Sequence, residues 1–88
     1  MHPQFTQLTP QWFKRAYVYT GSIGPFRYRY ANDQKNNQIH VAVYSHSCYE
    51  VATDRVYRDF SWDEAGVQAL QQWMQEMLER FERTGTLE

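Results

Sequence analysis

Two histidines, a cysteine and a glutamate lie at even-numbered positions: His40, His46, Cys48 and Glu50. In a continuous strand such side chains share one face, and Cα atoms two residues apart are about 6.5–7 Å apart. Imidazole and thiolate groups at that spacing can converge on a zinc ion. The segment has no Cys-x-x-Cys pair and no second ligand cluster. It therefore favours surface histidines beside a small buried cysteine over a metal site.

The same segment holds the chain's single cysteine, Cys48, which a nearby histidine such as His46 could activate as a nucleophile. Such an enzyme also needs a group that orients the histidine and donors that stabilise an oxyanion. Asp54 or Asp59 could orient the histidine, but no motif supports the arrangement. A cysteine-dependent enzyme or a metal site around these residues is therefore our third hypothesis. The sequence predicts no catalytic residue, no metal and no cofactor.

Aromatic and arginine side chains alternate over residues 26–30, and apolar and polar side chains alternate over residues 39–44. A period of two is typical of strands with one face in the core. If the two strands fold back around the polar loop 32–37, three aromatic residues oppose three aliphatic residues on the core face. The predicted pairs are Tyr30 with Ile39, Tyr28 with Val41, and Phe26 with Val43.

The opposite face of this hairpin collects basic and aromatic groups, namely Arg27, Arg29, His40, Tyr44 and His46. Sheet proteins that bind single-stranded nucleic acid stack bases on aromatic rings and contact phosphates with arginine. The isoelectric point of about 6.3 is low for such a protein. Nucleic-acid binding by this face is therefore the alternative hypothesis. The competing interpretation is that the arginines protect an exposed sheet from aggregation.

Helical signals lie on both sides of the hairpin. A short helix is predicted from Pro10, with Thr9 as its N-cap. A long helix is predicted over residues 62–83, where Ser61 and Glu64 have the spacing of a capping box. Apolar residues recur along it every three or four positions. They are Val67, Leu70, Trp73, Met74, Met77, Leu78 and Phe81, and Gly85 is the predicted stop.

These elements predict a single α+β domain over residues 1–86. A short N-terminal helix precedes a small antiparallel sheet of two to four strands, with a central hairpin 25–31/38–47. The long amphipathic helix then packs on one sheet face. Residues 17–20 fit either a last helical turn or a first strand, and residues 48–60 fit a further strand or an irregular connection. Residues 87–88 are interpreted as a cloning scar.

Aromatic residues make up 17% of the chain, which is more large apolar surface than one small hairpin can cover. Tryptophan, tyrosine and methionine are enriched at protein interfaces, and small chains often complete their core in a dimer. The candidate interface residues are Trp12, Trp62, Trp73 and Met77. Our leading hypothesis is therefore a non-enzymatic module that binds a protein partner or a second copy of itself as a homodimer.

Charge is distributed unevenly along the chain. Residues 1–47 hold five basic groups and one acidic group, whereas residues 48–88 hold four basic and nine acidic groups. The acidic half is interpreted as a solvated helix face rather than as one pole of a dipolar molecule. The single cysteine excludes an internal disulfide, and no apolar run is long enough to cross a membrane. We therefore expect a cytoplasmic protein without a membrane partner.

Overall fold

The computed structural model describes residues 2–15, 17–45 and 55–85. Its elements in chain order are α1 (Pro3–Thr6), α2 (Pro10–Arg15), β1 (Val18–Ile23), β2 (Phe26–Asp33), β3 (Gln38–Ser45), β4 (Val56–Ser61) and α3 (Glu64–Thr84). The strands form one antiparallel sheet in the order β1-β2-β3-β4. This confirms the predicted α+β fold. The short helix α1 was not predicted, and residues 18–20, which the sequence left open, belong to β1.

The β2–β3 hairpin has the predicted faces but a different register. Tyr28 pairs with Val43 rather than with Val41, so the predicted register was wrong by two residues. The physical reason is that β2 continues to Asp33, whose carboxylate accepts a hydrogen bond from the backbone N–H of Asn36 at 3.2 Å and tightens the loop. A shift by two residues preserves the alternation of side chains, so the core face remains the predicted one.

One face of the sheet packs against α3 and forms the core. The apolar stripe of α3 is buried as predicted, except that Trp73 is half-buried. Phe81 contacts Phe26 with ring centroids 5.9 Å apart, and Trp73 contacts Phe60 at 5.8 Å. Burial of one such side chain stabilises the fold by about 1.5–3 kcal/mol, so the stripe fixes α3 on the sheet.

The start of α3 differs from the predicted capping box. Asp63, not Ser61, is the N-cap, and its carboxylate accepts the backbone N–H of Gly66 at 2.7 Å. Ser61 is the last residue of β4, and its hydroxyl donates to the Asp63 carboxylate at 3.0 Å. Because β4 leads almost directly into α3, the capping function falls to a residue closer to the helix. The predicted stop at Gly85 is confirmed, with a φ of 75°.

The segment that contains α1 is held by α3. The Gln75 side chain accepts the backbone N–H of His2 at 2.8 Å, and the Gln71 side chain donates to the carbonyl of Leu8 at 2.8 Å. Phe5 and Leu8 are buried in the same core as the sheet. Among the described residues, no helix is long and apolar enough to cross a membrane.

Candidate protein interface at the edge strand

Strand β1 lies at one edge of the sheet, and only its β2 side is paired with another strand of the described chain. The backbone N–H of Asn32 donates to the carbonyl of Tyr17 at 3.0 Å, which fixes the hydrogen-bonding phase. In an antiparallel ladder, alternate residues direct their N–H and C=O groups toward the neighbouring strand. Odd-numbered residues of β1 therefore bond to β2. The backbone groups of Val18, Thr20 and Ser22 point out of the sheet.

The side chains at the start of this edge are apolar and exposed. Tyr17 is 67% exposed, Val18 54% and Tyr19 38%. No residue of β1 is charged. Natural proteins usually protect an edge strand with charged residues, proline or a bulge, because open backbone groups invite pairing with another chain. The other edge strand, β4, has such protection in Arg58 and Asp59.

Aromatic packing against α2 holds β1 in place. The Tyr19 ring lies nearly parallel to the Tyr30 ring, with centroids 6.3 Å apart and an interplanar angle of 13°. Trp12 meets Tyr19 edge-on at 4.9 Å and Tyr30 at 5.9 Å. Edge-to-face pairs contribute about 0.5–1.5 kcal/mol each beyond the buried area. The edge is therefore presented on a rigid support rather than on a loose segment.

Gly21 sits beneath the ring of Tyr28. A Cβ atom at this position would lie 2.6 Å from the tyrosine ring, so a side chain here would displace the ring.

The hydroxyl of Tyr28 donates to the side-chain carbonyl of Gln4. Burial, reinforced by the neighbouring Tyr19, raises the pKa of Tyr28 to about 12. Burial raises the pKa of Tyr30 still further, so both phenols stay protonated at neutral pH.

The predicted nucleic-acid face is formed only in part. Arg27 lies directly across from Tyr44, and both lie on the sheet face opposite α3 together with Arg29 and His40. Tyr44 is only 3% exposed, so its own ring is closed to a stacking base, whereas Tyr57 of β4 on the same face is 59% exposed. His46 lies outside the described residues.

His40 on β3 bridges the carboxylates of Asp33 on β2 and Asp59 on β4, so the cluster joins three neighbouring strands. Its Nδ1 lies 2.7 Å from Asp59 and its Nε2 lies 3.1 Å from Asp33. Hydrogen bonding to Asp59, and then to Asp33, raises the pKa of His40 above its usual value. Hydrogen bonds from Asn36 and then His40 lower the pKa of Asp33 to about 2. Because both ring nitrogens face a carboxylate, the protonated form of His40 can donate to both and link the three strands.

The predicted interface residues pack on the core instead of forming an open patch. The Trp62 indole N–H donates to the carbonyl of Pro10 at 3.0 Å, and Met77 is only 7% exposed. Trp12 and Trp73 are half-buried against the core cluster. We therefore consider the exposed edge at β1 as a candidate interface. A signal for it was present in the sequence, since residues 16–26 carry no charge while residues 18–19 suit a strand.

The described ranges contain no group of three or more histidine, cysteine, aspartate or glutamate side chains that could hold a metal ion. Cys48, Glu50 and Asp54 lie outside those ranges. Comparisons of the chain with protein families, with curated proteins and with solved structures gave no match.

Proposed function

We propose that this chain is a small, non-enzymatic protein-binding module that adds an extended segment of its partner to the outer edge of β1. The observation that carries the proposal is an uncharged edge strand whose outward backbone groups at Val18, Thr20 and Ser22 are paired with no strand of the described chain. In this mode of recognition, main-chain hydrogen bonds supply affinity and neighbouring side chains supply specificity.

The exposed residues beside the edge support this mode. Tyr17 and Val18 are the two most exposed large apolar side chains at the start of β1, and they would be covered by an added strand. Tyr19 is held by Trp12, so a partner would meet a preformed surface with little ordering cost. A cytoplasmic location is part of the proposal, since a single cysteine gives the chain no internal disulfide to form.

A display library of extended peptides tests the function. We expect the wild type to select peptides whose apolar residues alternate with a period of two. Thr20→Pro should weaken binding at least tenfold, about 1.4 kcal/mol, because it removes an outward N–H and crowds the edge. The matched control is Tyr57→Lys, which alters an exposed aromatic residue on the opposite edge strand β4 and should leave binding unchanged.

Two results would contradict the proposal. One is that no peptide is selected at protein concentrations up to the millimolar range. The other is that the selected peptides bind Thr20→Pro as well as the wild type, which would place the binding surface elsewhere. Loss of binding in Tyr57→Lys alone would assign the contact to β4.

Nucleic-acid binding is the second candidate function. One observation favours it: Tyr57, on the same sheet face as Arg27 and Arg29, is 59% exposed and offers a ring on which a base can stack. The carboxylates of Asp33 and Asp59 on the same face oppose it, because they repel phosphate. Binding of single-stranded oligonucleotides at low salt that is abolished by the double change Arg27→Glu and Arg29→Glu would support this candidate over the first.

A further inference from the structure

We infer that the partner recognised by β1 is a second copy of this chain, paired antiparallel about a two-fold axis that passes between the two Thr20 residues. This inference rests on the proposed function and names the partner of that same edge. It assigns an isologous interface, in which the same patch is used by both copies. Three features of β1 carry it: its hydrogen-bonding phase, its side-chain sizes and its lack of charge.

The hydrogen-bonding phase selects the register. With Thr20 opposite Thr20, Val18 of each copy faces Ser22 of the other. Every outward N–H and C=O group of the strand then meets a partner, because all three residues point the same way. A two-fold centred on Tyr19 or on Gly21 would leave one of these residues facing a position beyond the end of the opposing β1. The Thr20-centred register is the one that uses the whole edge.

The side chains fit this register. Tyr19 of one copy faces Gly21 of the other, so the bulkiest side chain of the strand opposes the residue without one. The Thr20 side chains of the two copies meet on the other face of the sheet, away from the core, and directly opposed threonines stabilise neighbouring strands. The partner's tyrosine would lie beside the Tyr28 ring that crosses Gly21.

Charge does not oppose the pairing. No residue of β1 is charged, so no like charges face each other within the two paired strands. The carbonyl of Ser22 accepts a long hydrogen bond from the Gln4 side chain at 3.5 Å. This carbonyl has a second lone pair for an incoming N–H. The two four-stranded sheets would join into one continuous sheet, with both α3 helices on the same side.

Disulfide trapping tests the register directly. In a Cys48→Ser background, Thr20→Cys places two thiols in a directly opposed pair, whose Cα atoms lie about 5.5 Å apart, within disulfide range. Ser22→Cys alone places its two thiols about 13 Å apart along the strands, since each faces Val18 of the other copy. We expect Thr20→Cys to form a covalent dimer under mild oxidation and Ser22→Cys to remain monomeric.

A second variant keeps the test decisive if one substitution disturbs the strand. The double change Val18→Cys and Ser22→Cys should form two cross-links per dimer, whereas Val18→Cys alone should form none. The inference is overturned if Thr20→Cys cross-links no faster than Ser22→Cys, or if Tyr19→Cys cross-links fastest, which would indicate another register.

Sedimentation of the uncross-linked wild type separates the two proposals. We expect a reversible monomer–dimer equilibrium that Thr20→Pro shifts to monomer and Tyr57→Lys leaves in place. A strict monomer that still binds library peptides at β1 overturns the second-copy partner and leaves the protein-binding function standing. A strict monomer that binds no peptide overturns both.

Discussion

Two buried tyrosines lie side by side under the sheet, with ring centroids 5.2 Å apart, but their hydroxyls have different surroundings. The Tyr28 hydroxyl donates to Gln4. The Tyr30 hydroxyl is buried and has no hydrogen-bond partner among the described residues. A buried polar group without a partner destabilises the folded state, whereas a bonded one contributes about 0.5–1.5 kcal/mol.

This contrast predicts opposite effects of the same chemical change. Tyr28→Phe should lower the free energy of unfolding by about 1 kcal/mol, because it removes a hydrogen bond and leaves the side-chain carbonyl of Gln4 without its donor. Tyr30→Phe should leave stability unchanged or raise it, because it removes a hydroxyl that the fold does not satisfy. Urea denaturation of the two variants measures both values. A larger loss in Tyr30→Phe than in Tyr28→Phe would contradict the hydrogen bonding described above.

His40 makes stability depend on pH in a defined direction. Its pKa is raised in the folded state by Asp59 and Asp33, so the charged form is the one that the fold binds more tightly. Its contribution is complete below the unfolded pKa of about 6.5 and is lost as the pH rises through the folded pKa. A neutral imidazole has a single N–H, so it can keep only one of the two carboxylate bonds.

Comparison of the wild type with His40→Gln tests this at several pH values. We expect the variant to be less stable near pH 6, by less than about 1 kcal/mol because the group is partly exposed, and the difference to shrink as the pH rises through the raised pKa of His40. The pKa of Asp33 is lowered from 3.8 to about 2 in the folded state. The ionised carboxylate therefore stabilises the fold above pH 3.8, and this contribution is lost as the pH falls toward 2. Arg29 lies diagonal to His40 on the neighbouring strand β2. It is present in both proteins, so its charge does not contribute to the difference between them. A difference that grows with alkaline pH would contradict the charged bridge.

At the level of elements, the junction between β4 and α3 depends on a missing side chain. Gly66 is buried in the first turn of α3, and a Cβ there would lie 1.9 Å from the carbonyl oxygen of Ser61. That oxygen belongs to the backbone at the end of β4, so relief would require the strand and the helix to move apart. Glycine is therefore required for the close approach, although alanine is the better helix former.

Gly66→Ala should lower the free energy of unfolding by about 1–3 kcal/mol, the usual cost of overpacking. Gly85→Ala is the matched control, because it introduces the same methyl group where no heavy atom lies within 4 Å. Its positive φ still costs about 1 kcal/mol. Thermal unfolding of both variants measures the difference. An equal or smaller effect at Gly66 would show that the junction can adjust without loss.

At the scale of the whole molecule, the fold could be predicted further than the site. The long helix and the core face of the hairpin follow from periods in the sequence, because burial on one side imposes those periods. The register of the hairpin did not follow, because Asn32 and Asp33 have turn-forming side chains yet continue β2. The edge position of β1 was also beyond prediction, since it depends on the order in which the strands pair.

The interface residues show the same limit. Trp12, Trp62 and Met77 were chosen by residue type, but Met77 lies in the core and the two tryptophans pack against it while partly exposed. An indole or thioether is equally suited to a core and to an interface. Only the three-dimensional arrangement distinguishes the two. The less conspicuous pair Tyr17 and Val18 is left exposed because β1 has a neighbour on one side only.

The position of α3 after all four strands has a consequence for how the chain is made. The sheet cannot cover its apolar face until α3 has left the ribosome, and at about 5–20 residues per second its synthesis takes about 1–4 seconds. The N-terminal segment around Leu8 also cannot dock until α3 has been made, because the side chains that bind this segment, Gln71 and Gln75, lie on that helix. During this interval, the nascent sheet face and the β1 edge are open together. Early handling by a chaperone would therefore matter more for this chain than for one whose covering helix emerges first.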